Sequence, residues 1–284
     1  MGPVRIDLHT HSTASDGTEA PAQVVAAAAA AGLDVVALTD HDTTAGWAEA
    51  EAAATEHGIA LVRGTEVSAR AAGISIHLLS YLQDPAHSAL TVELDKTRDA
   101  RVGRARAIVE LLAQDYPITW DDVVTQSQGA VVLGRPHIAD ALVARGHVPD
   151  RTAAFQTILH WRGGYYRPHE APPPIEGVKL IVAAGGVPII AHPGARGPER
   201  AINDRRMAEL VKAGLFGLEL DHRDNSPQSR ERLTRIAAQY GLVTTGSSDY
   251  HGAGKPNQLG ENTTSPEVYA AIVAKATGSQ PFKG

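Results

Sequence analysis

The segment Val4-Arg5-Ile6-Asp7-Leu8-His9-Thr10-His11-Ser12 decides the reading of the whole chain. Alternate residues of an extended chain share a face. Ile6 and Leu8 therefore point one way, and Asp7, His9 and His11 the other. A strand over 4–9 would bury its apolar face and deliver a carboxylate and two imidazoles to one place at its end. Something has to receive them.

Outward from this stretch, short β-rich segments alternate with helical ones. Strands are expected over 4–9, 34–39, 59–62, 74–82, 187–192, 216–221 and 242–248. Helices are expected over 18–31, with Pro21 in the first turn and Gly32 as a stop, over 45–57 before Gly58, and after Ser265-Pro266. This alternation predicts an α/β fold with a largely parallel sheet. The rhythm breaks between 85 and 174, where the pattern is helical and polar and then rich in Pro and Gly. A mainly helical insertion is expected there, dividing the barrel into a first part over 1–84 and a second over 175–284. A chain of 284 residues is long enough to bury a sizeable core.

Composition removes several classes of function. With no cysteine, disulfides, thiolate metal sites and cysteine nucleophiles are excluded. No apolar run approaches a membrane span, and the start lacks a secretory pattern, so a cytoplasmic location is expected. The net charge of -6 argues against a globally basic nucleic-acid surface, so an anionic substrate would need local help. Histidine, at 13 residues, is the unusual count.

The histidines and carboxylates fall at strand ends. Asp7, His9 and His11 close the first strand and Asp40 and His41 the second. Glu66 follows the third, His77 lies on the fourth, His192 ends a later strand, and Asp249 and His251 end the last. In a parallel α/β barrel such ends converge on one face. Each tripeptide alone has a bland explanation: a capping histidine, a satisfied core imidazole, a chance "HTH". Their recurrence at successive strand ends does not. Neutral imidazoles and carboxylates suit zinc, manganese or iron. The donors are too many for one ion, so two to three divalent ions with a bridging carboxylate are expected, and Glu66, the lone acid in "GTEVS", is the natural bridge.

At these residues the sequence resembles the PHP family, named for polymerase and histidinol phosphatase domains. "DLHTHS", "LTDHD", "GTEVS", His77, "AHP" and "SSDYH" match its motifs in order. The resemblance implies a distorted (β/α)7 barrel and a trinuclear metal centre. One ion would be held by His9, His11, Glu66 and Asp249, and a second by Glu66, His77 and His192. A third would take Asp16, His41 and His251, although some members have histidine where this chain has Asp16. Asp7 and Asp40 would orient neighbouring imidazoles.

Inside the insertion, "GRPHIADALVARG" resembles a bacterial subgroup of nucleotide 3',5'-bisphosphate phosphatases and 5'-to-3' exoribonucleases. This implies that Arg135 and His137 face substrate. Arg196 and His222 are further candidates for gripping it, and the run Lys96, Arg98, Arg101, Arg104, Arg106 could offer a basic face to RNA or be a solvated helix face. The expected activity is that of a hydrolase: a metal-activated hydroxide attacks phosphorus, with Glu66 and Asp249 in the catalytic centre and either the third ion or His137 assisting the leaving oxygen. The expected partner is a small phosphorylated nucleotide or short RNA, with no membrane and no obligate protein partner. Histidinol phosphate is the rival substrate, and a non-catalytic module the rival class.

Overall fold

The structure, a computed structural model, describes residues 4–195 and 202–284. Its seven strands are β1 (Ile6–Asp7), β2 (Val35–Leu38), β3 (Ala60–Ala71), β4 (Ile74–Tyr81), β5 (Val187–Ile190), β6 (Gly217–Asp221) and β7 (Val243–Gly246), hydrogen-bonded in chain order. The barrel is nearly closed. Beyond β1 and β7, Thr10 bridges Tyr250, and the His11 amide donates to the Tyr250 carbonyl at 2.8 Å.

Helices α1 (Pro21–Ala30) and α2 (Trp47–His57) follow β1 and β2 as expected. Gly58 ends α2 in the left-handed conformation at φ +64°, which costs glycine no Cβ clash. The pairings β1–β2, β2–β3, β5–β6 and β6–β7 are parallel, so the sheet is largely parallel. β4, however, runs antiparallel to both neighbours. The cause is local. Ala71 and Ile74 pair directly across Ala72-Gly73, whose φ values of +50° and +78° make the two-residue turn whose twist suits a hairpin. The expected third strand over 59–62 thus lengthens to Ala71, and Glu66 sits inside β3 rather than after it. The expected first strand over 4–9 shortens to Ile6–Asp7, because His9 and His11 leave the ladder to bond the Tyr250 backbone.

Between β4 and β5 lie α3 (Ser88–Leu112), α4 (Trp120–Gln126), α5 (Arg135–Ala144), α6 (Arg151–Gln156) and α7 (Pro174–Ala183). α3 serves two cores. Leu90 and Leu94 near its start pack with Val178 and Ile181 of α7 and with Leu78 of β4. Ala105, Ile108 and Leu112 near its end pack with Ile138 and Leu142 of α5 in a separate cluster. Helices α8 (Asp204–Ala213), α9 (Pro227–Tyr240) and α10 (Pro266–Lys275) complete the described elements. Ile272 of α10 joins Ile6, Leu8, Leu79, Tyr81 and Ile189 in a further buried cluster. Among the described residues, no helix is long and apolar enough to cross a membrane.

Candidate metal centre

Glu66 is the centre of the site. Its side chain is 1% exposed and is ringed by five imidazoles. Oε1 lies 2.8 Å from His77 Nδ1 and 3.0 Å from His192 Nε2. Oε2 lies 3.3 Å from His9 Nε2, 3.0 Å from His11 Nε2 and 3.2 Å from His41 Nδ1. The reversed strand explains how His77 arrives: it stands opposite Ser68 in the β3–β4 register, two residues along from Glu66.

Two other carboxylates flank this ring. Asp249 Oδ1 is 3.5 Å from both His9 Nε2 and His11 Nε2, and 3.4 Å from His251 Nδ1. Asp16 Oδ1 is 3.2 Å from His251 Nε2 and 3.6 Å from His11 Nδ1, while Oδ2 is 3.8 Å from His41 Nε2. Four overlapping donor sets each bring their ligand atoms within 4.8 Å: His9, Glu66, His192; His9, His11, Asp249; His11, Asp16, His41; and His41, Glu66, His77. Eight of the nine ligand candidates from the sequence fall in these sets, and the ninth, His251, adjoins them through Asp16 and Asp249. The structure groups them differently from the expected sites: His192 stands with His9, His77 with His41, His41 is shared between Glu66 and Asp16, His11 joins Asp16, and His251 falls in none of the four sets.

The donor atoms fit cations. His9 Nε2 and His11 Nε2 face each other at 3.0 Å. His9 Nδ1 is 2.9 Å from Glu219 Oε1 and donates to that carboxylate, which turns Nε2 into the site; against burial, Glu219, Glu66 and Asp249 hold His9 well above the usual histidine range, so that without an ion Nε2 carries a proton as well. His41 Nδ1 and His251 Nε2 are buried without a hydrogen-bond partner. Burial pushes His41 and His192 below the usual histidine range, and burial together with Lys255 pushes His251 down to about 4. Burial opposes ionisation of Glu66, Asp16 and Asp249 as well, yet the surrounding imidazoles, and Lys255 beside Asp249, hold all three well below the ordinary carboxylate range. Three buried carboxylates ringed by imidazoles, several of them held neutral by burial, are the setting a divalent ion stabilises. His192 and Asp249 also carry non-glycine positive φ, +30° and +55°, conformations that persist only where the surroundings impose them.

The remaining candidates fall elsewhere. Asp7 accepts from the amides of Ser248 (3.0 Å) and Gly260 (2.8 Å), and Asp40 from the Ser12 amide (2.8 Å) and the Ser12 and Ser15 hydroxyls. These carboxylates fix the loops that carry donors, rather than bonding imidazoles as expected. Glu219, which sequence reading missed, does that for His9, and its Oε2 also accepts from the His192 amide at 2.7 Å. Its signal was present: a charge between Leu218 and Leu220 in a short buried strand. Lys255, also missed, places Nζ 2.6 Å from Asp249 Oδ2, and nothing in its loop sequence announces it. His222 is fully buried. Its Nδ1 accepts the Asp224 amide, so its Nε2 proton faces Asp249 at 3.5 Å rather than a substrate.

His137 is 3% exposed; Nδ1 accepts from the Gly134 amide, and the other ring nitrogen donates to the Ser15 carbonyl. Arg135 donates to the Leu159 carbonyl and lies over Phe155 and Tyr166. Arg196 lies outside the described residues. The basic run does not form one solvent face. Arg101 is 6% exposed and paired with Asp42, Arg98 donates to the Asp42 carbonyl, and Arg106 stacks on Trp120.

A nearly closed α/β barrel with a buried histidine–carboxylate cluster at its strand ends defines a metal-dependent hydrolase of the phosphoesterase class. The model of the PHP domain matches residues 7–122. The 3',5'-nucleoside bisphosphate phosphatase of Chromobacterium violaceum is 34% identical over 251 residues, 88% of each chain. The 5'-3' exoribonuclease of Haemophilus influenzae is 34% identical over 260 residues, 91% of this chain and 94% of that one. A crystal structure from Bifidobacterium adolescentis, described as a metal-dependent phosphoesterase, superposes with a TM-score of 0.93 at 43% identity, covering 97% of this chain and 98% of the other. The chain belongs to the PHP family and is a metal-dependent phosphoesterase.

Proposed function

We propose that the chain hydrolyses phosphate esters of nucleotides, taking 3',5'-bisphosphates or the 5' end of short RNA, with two to three divalent manganese, iron or zinc ions as cofactor. The observation that carries the reading is the five-imidazole ring around Glu66. His9, His11, Asp16, His41, Glu66, His77, His192, Asp249 and His251 hold the ions, and Glu66 contributes to more than one. Ions held there supply activation of water at neutral pH and neutralisation of phosphoryl charge. Glu219 keeps the His9 proton on Nδ1, so that Nε2 stays a donor. Asp40 and His137 fix the Ser12–Asp16 loop, and Lys255 draws Asp249 into place.

A cationic cluster supports a substrate with a second phosphate. Arg104 NH1 donates to His169 Nδ1 at 2.9 Å, and Arg70 NH1 donates to the His169 carbonyl at 3.1 Å. Arg104 has no carboxylate partner among the described residues, and its Nε and the His169 Nε2 are buried without hydrogen bonds. Burial, with Arg101 and Arg135 close by, pushes the Arg104 guanidinium down to about 9. Arg101 NH2 donates to Ser68, the residue opposite His77, so the cluster borders the metal centre. Unspent donors beside a phosphoryl-transfer site suit a phosphate that does not react.

The test is a steady-state panel on metal-reconstituted protein: adenosine 3',5'-bisphosphate, 5'-phosphorylated short RNA and histidinol phosphate. The nucleotides are expected to show the higher kcat/KM. Arg104→Met should reduce kcat/KM for the bisphosphate roughly ten- to hundredfold more than for a simple monophosphate, the worth of a hydrogen bond to a charged group. A preference for histidinol phosphate would overturn the substrate reading and leave the phosphoesterase chemistry standing.

A further inference from the structure

Trp161 is 62% exposed, and it is the one aromatic among the large hydrophobic side chains that the described residues leave in solvent. The other two tryptophans are accounted for. Trp47 is 6% exposed and donates to the Gly64 carbonyl, and Trp120 packs against the insertion's core under Arg106. Trp161 instead presents its ring with a cation already in place: the Arg162 guanidinium lies 4.4 Å from the ring centroid, and the His160 ring is 5.7 Å away.

The surrounding loop is held at both ends by the arginine cluster. Arg135 NH2 donates to the Leu159 carbonyl, two residues before Trp161, and Arg104 bonds His169 at the far end. Within the loop, the Gly163 amide donates to the His160 carbonyl at 2.8 Å, and Arg167 NH1 donates to the carbonyls of Gly164 and Tyr166. Among the described residues, neither Arg162, which lies over the indole, nor Arg167, which bonds loop carbonyls, forms an ion pair with a carboxylate; Asp115 meets the loop through the Tyr165 hydroxyl. An exposed indole on a loop tied at both ends, an adjoining guanidinium and positive charge without a carboxylate partner, on a chain whose net charge is -6, match single-stranded nucleic acid. Every base has a π face that stacks on an aromatic ring, and arginine serves both the backbone and the stack.

We propose that Trp161 and Arg162 form a stacking platform for a base of single-stranded RNA whose 5'-terminal nucleotide occupies the arginine cluster and the metal centre. The inference rests on the nucleotide reading above and extends it from the terminal nucleotide to the strand that follows. It implies that a longer strand gains affinity that a mononucleotide cannot.

The direct test is titration of the metal-loaded full chain with a 5'-phosphorylated phosphorothioate oligoadenylate that resists hydrolysis. Wild type should show quenched tryptophan emission on binding. Trp161→Ala should lose the quench and bind about five- to hundredfold more weakly, the range of one base–aromatic stack. Trp161→Phe should retain most of the affinity, which separates stacking from a folding defect. In turnover, Trp161→Ala should lose at least about tenfold more kcat/KM on 5'-phosphorylated RNA than on adenosine 3',5'-bisphosphate. Equal losses on both substrates, or oligoadenylate binding that ignores the substitution, would overturn the platform. So would emission that changes with protein concentration alone, which would mean that a second copy covers the ring. If wild type binds the oligoadenylate through Trp161 yet hydrolyses no phosphate ester, the platform stands and the nucleotide-hydrolysis reading fails.

Discussion

Glu219 does by position what a ligand does by contact. It reaches His9 from behind the donor ring and also fixes the His192 amide, so one carboxylate sets two imidazoles that face Glu66. Glu219→Gln keeps the shape and can still accept a proton from His9, but removes the charge. Metal affinity is expected to fall about ten- to hundredfold with the fold intact, as is typical when the partner of a metal-bound histidine is weakened. Competition with a chromogenic chelator measures it, and unchanged affinity would make Glu219 a packing residue. At this scale the sequence was informative where residue type and strand end coincided. His9, His11, His192 and Asp249 converge from beyond strand ends, and Glu66 and His77 join them from inside β3 and β4. Asp7 and Asp40 sit in the same motifs but bond amides and hydroxyls, because a carboxylate next to a loop finds backbone donors sooner than imidazoles. Nothing in a one-dimensional pattern separates these two outcomes.

At the scale of elements, α3 shows how tertiary pairing overrides a surface pattern. Its arginines look like a solvated or RNA-facing stripe, yet Arg101 Nε lies 2.8 Å from Asp42 Oδ2, and Asp42 in turn accepts from the Ser68 amide and hydroxyl at 2.7 Å each. Asp42 holds a positive φ of +51° in this junction. The ion pair fastens the helix between its two cores to the barrel loop after β2. Arg101→Ala leaves Asp42 buried and unpaired, and should destabilise the protein by about 3–5 kcal/mol, the usual cost of breaking one half of a buried pair. Urea unfolding measures it, and a loss below about 1 kcal/mol would place the pair in effectively solvated surroundings. The β3–β4 hairpin was equally hidden. Strand alternation predicts parallel neighbours, and only the backbone at Ala72-Gly73 reveals the reversal; an alanine there, in place of the usual Asn or Asp, gave no turn signal.

For the whole molecule, acid sensitivity follows from the insertion's contact with the barrel. Burial, with Arg104 and Arg101 adjacent, pushes His169 down to about 2 from an ordinary value of 6.5. Between those two values the unfolded chain binds a proton there and the folded chain does not, so stability is lost as pH falls below about 6.5. His169→Gln removes that proton while leaving an acceptor for Arg104. Going from pH 6.5 to 5, metal-stripped wild type should therefore lose about 1–2 kcal/mol more than the variant in urea unfolding. Parallel curves would show that His169 is protonated in the folded state.

The hairpin that brings His77 to Glu66 also orders events in time. These two donors are 11 residues apart, whereas His192 lies 126 residues from Glu66, and His9 lies 210 from Glu219. Closing the longer loops costs chain entropy before any contact repays it, so folding assembles the local pair early and the remaining donors late. The expected outcome is an ion-binding constellation completed only after the rate-limiting step, with metal entering a chain that has already folded. Bound manganese should slow unfolding and leave the refolding rate nearly unchanged in stopped-flow chevrons. A refolding limb that accelerates with metal would show instead that the ion gathers its ligands while the barrel is still open.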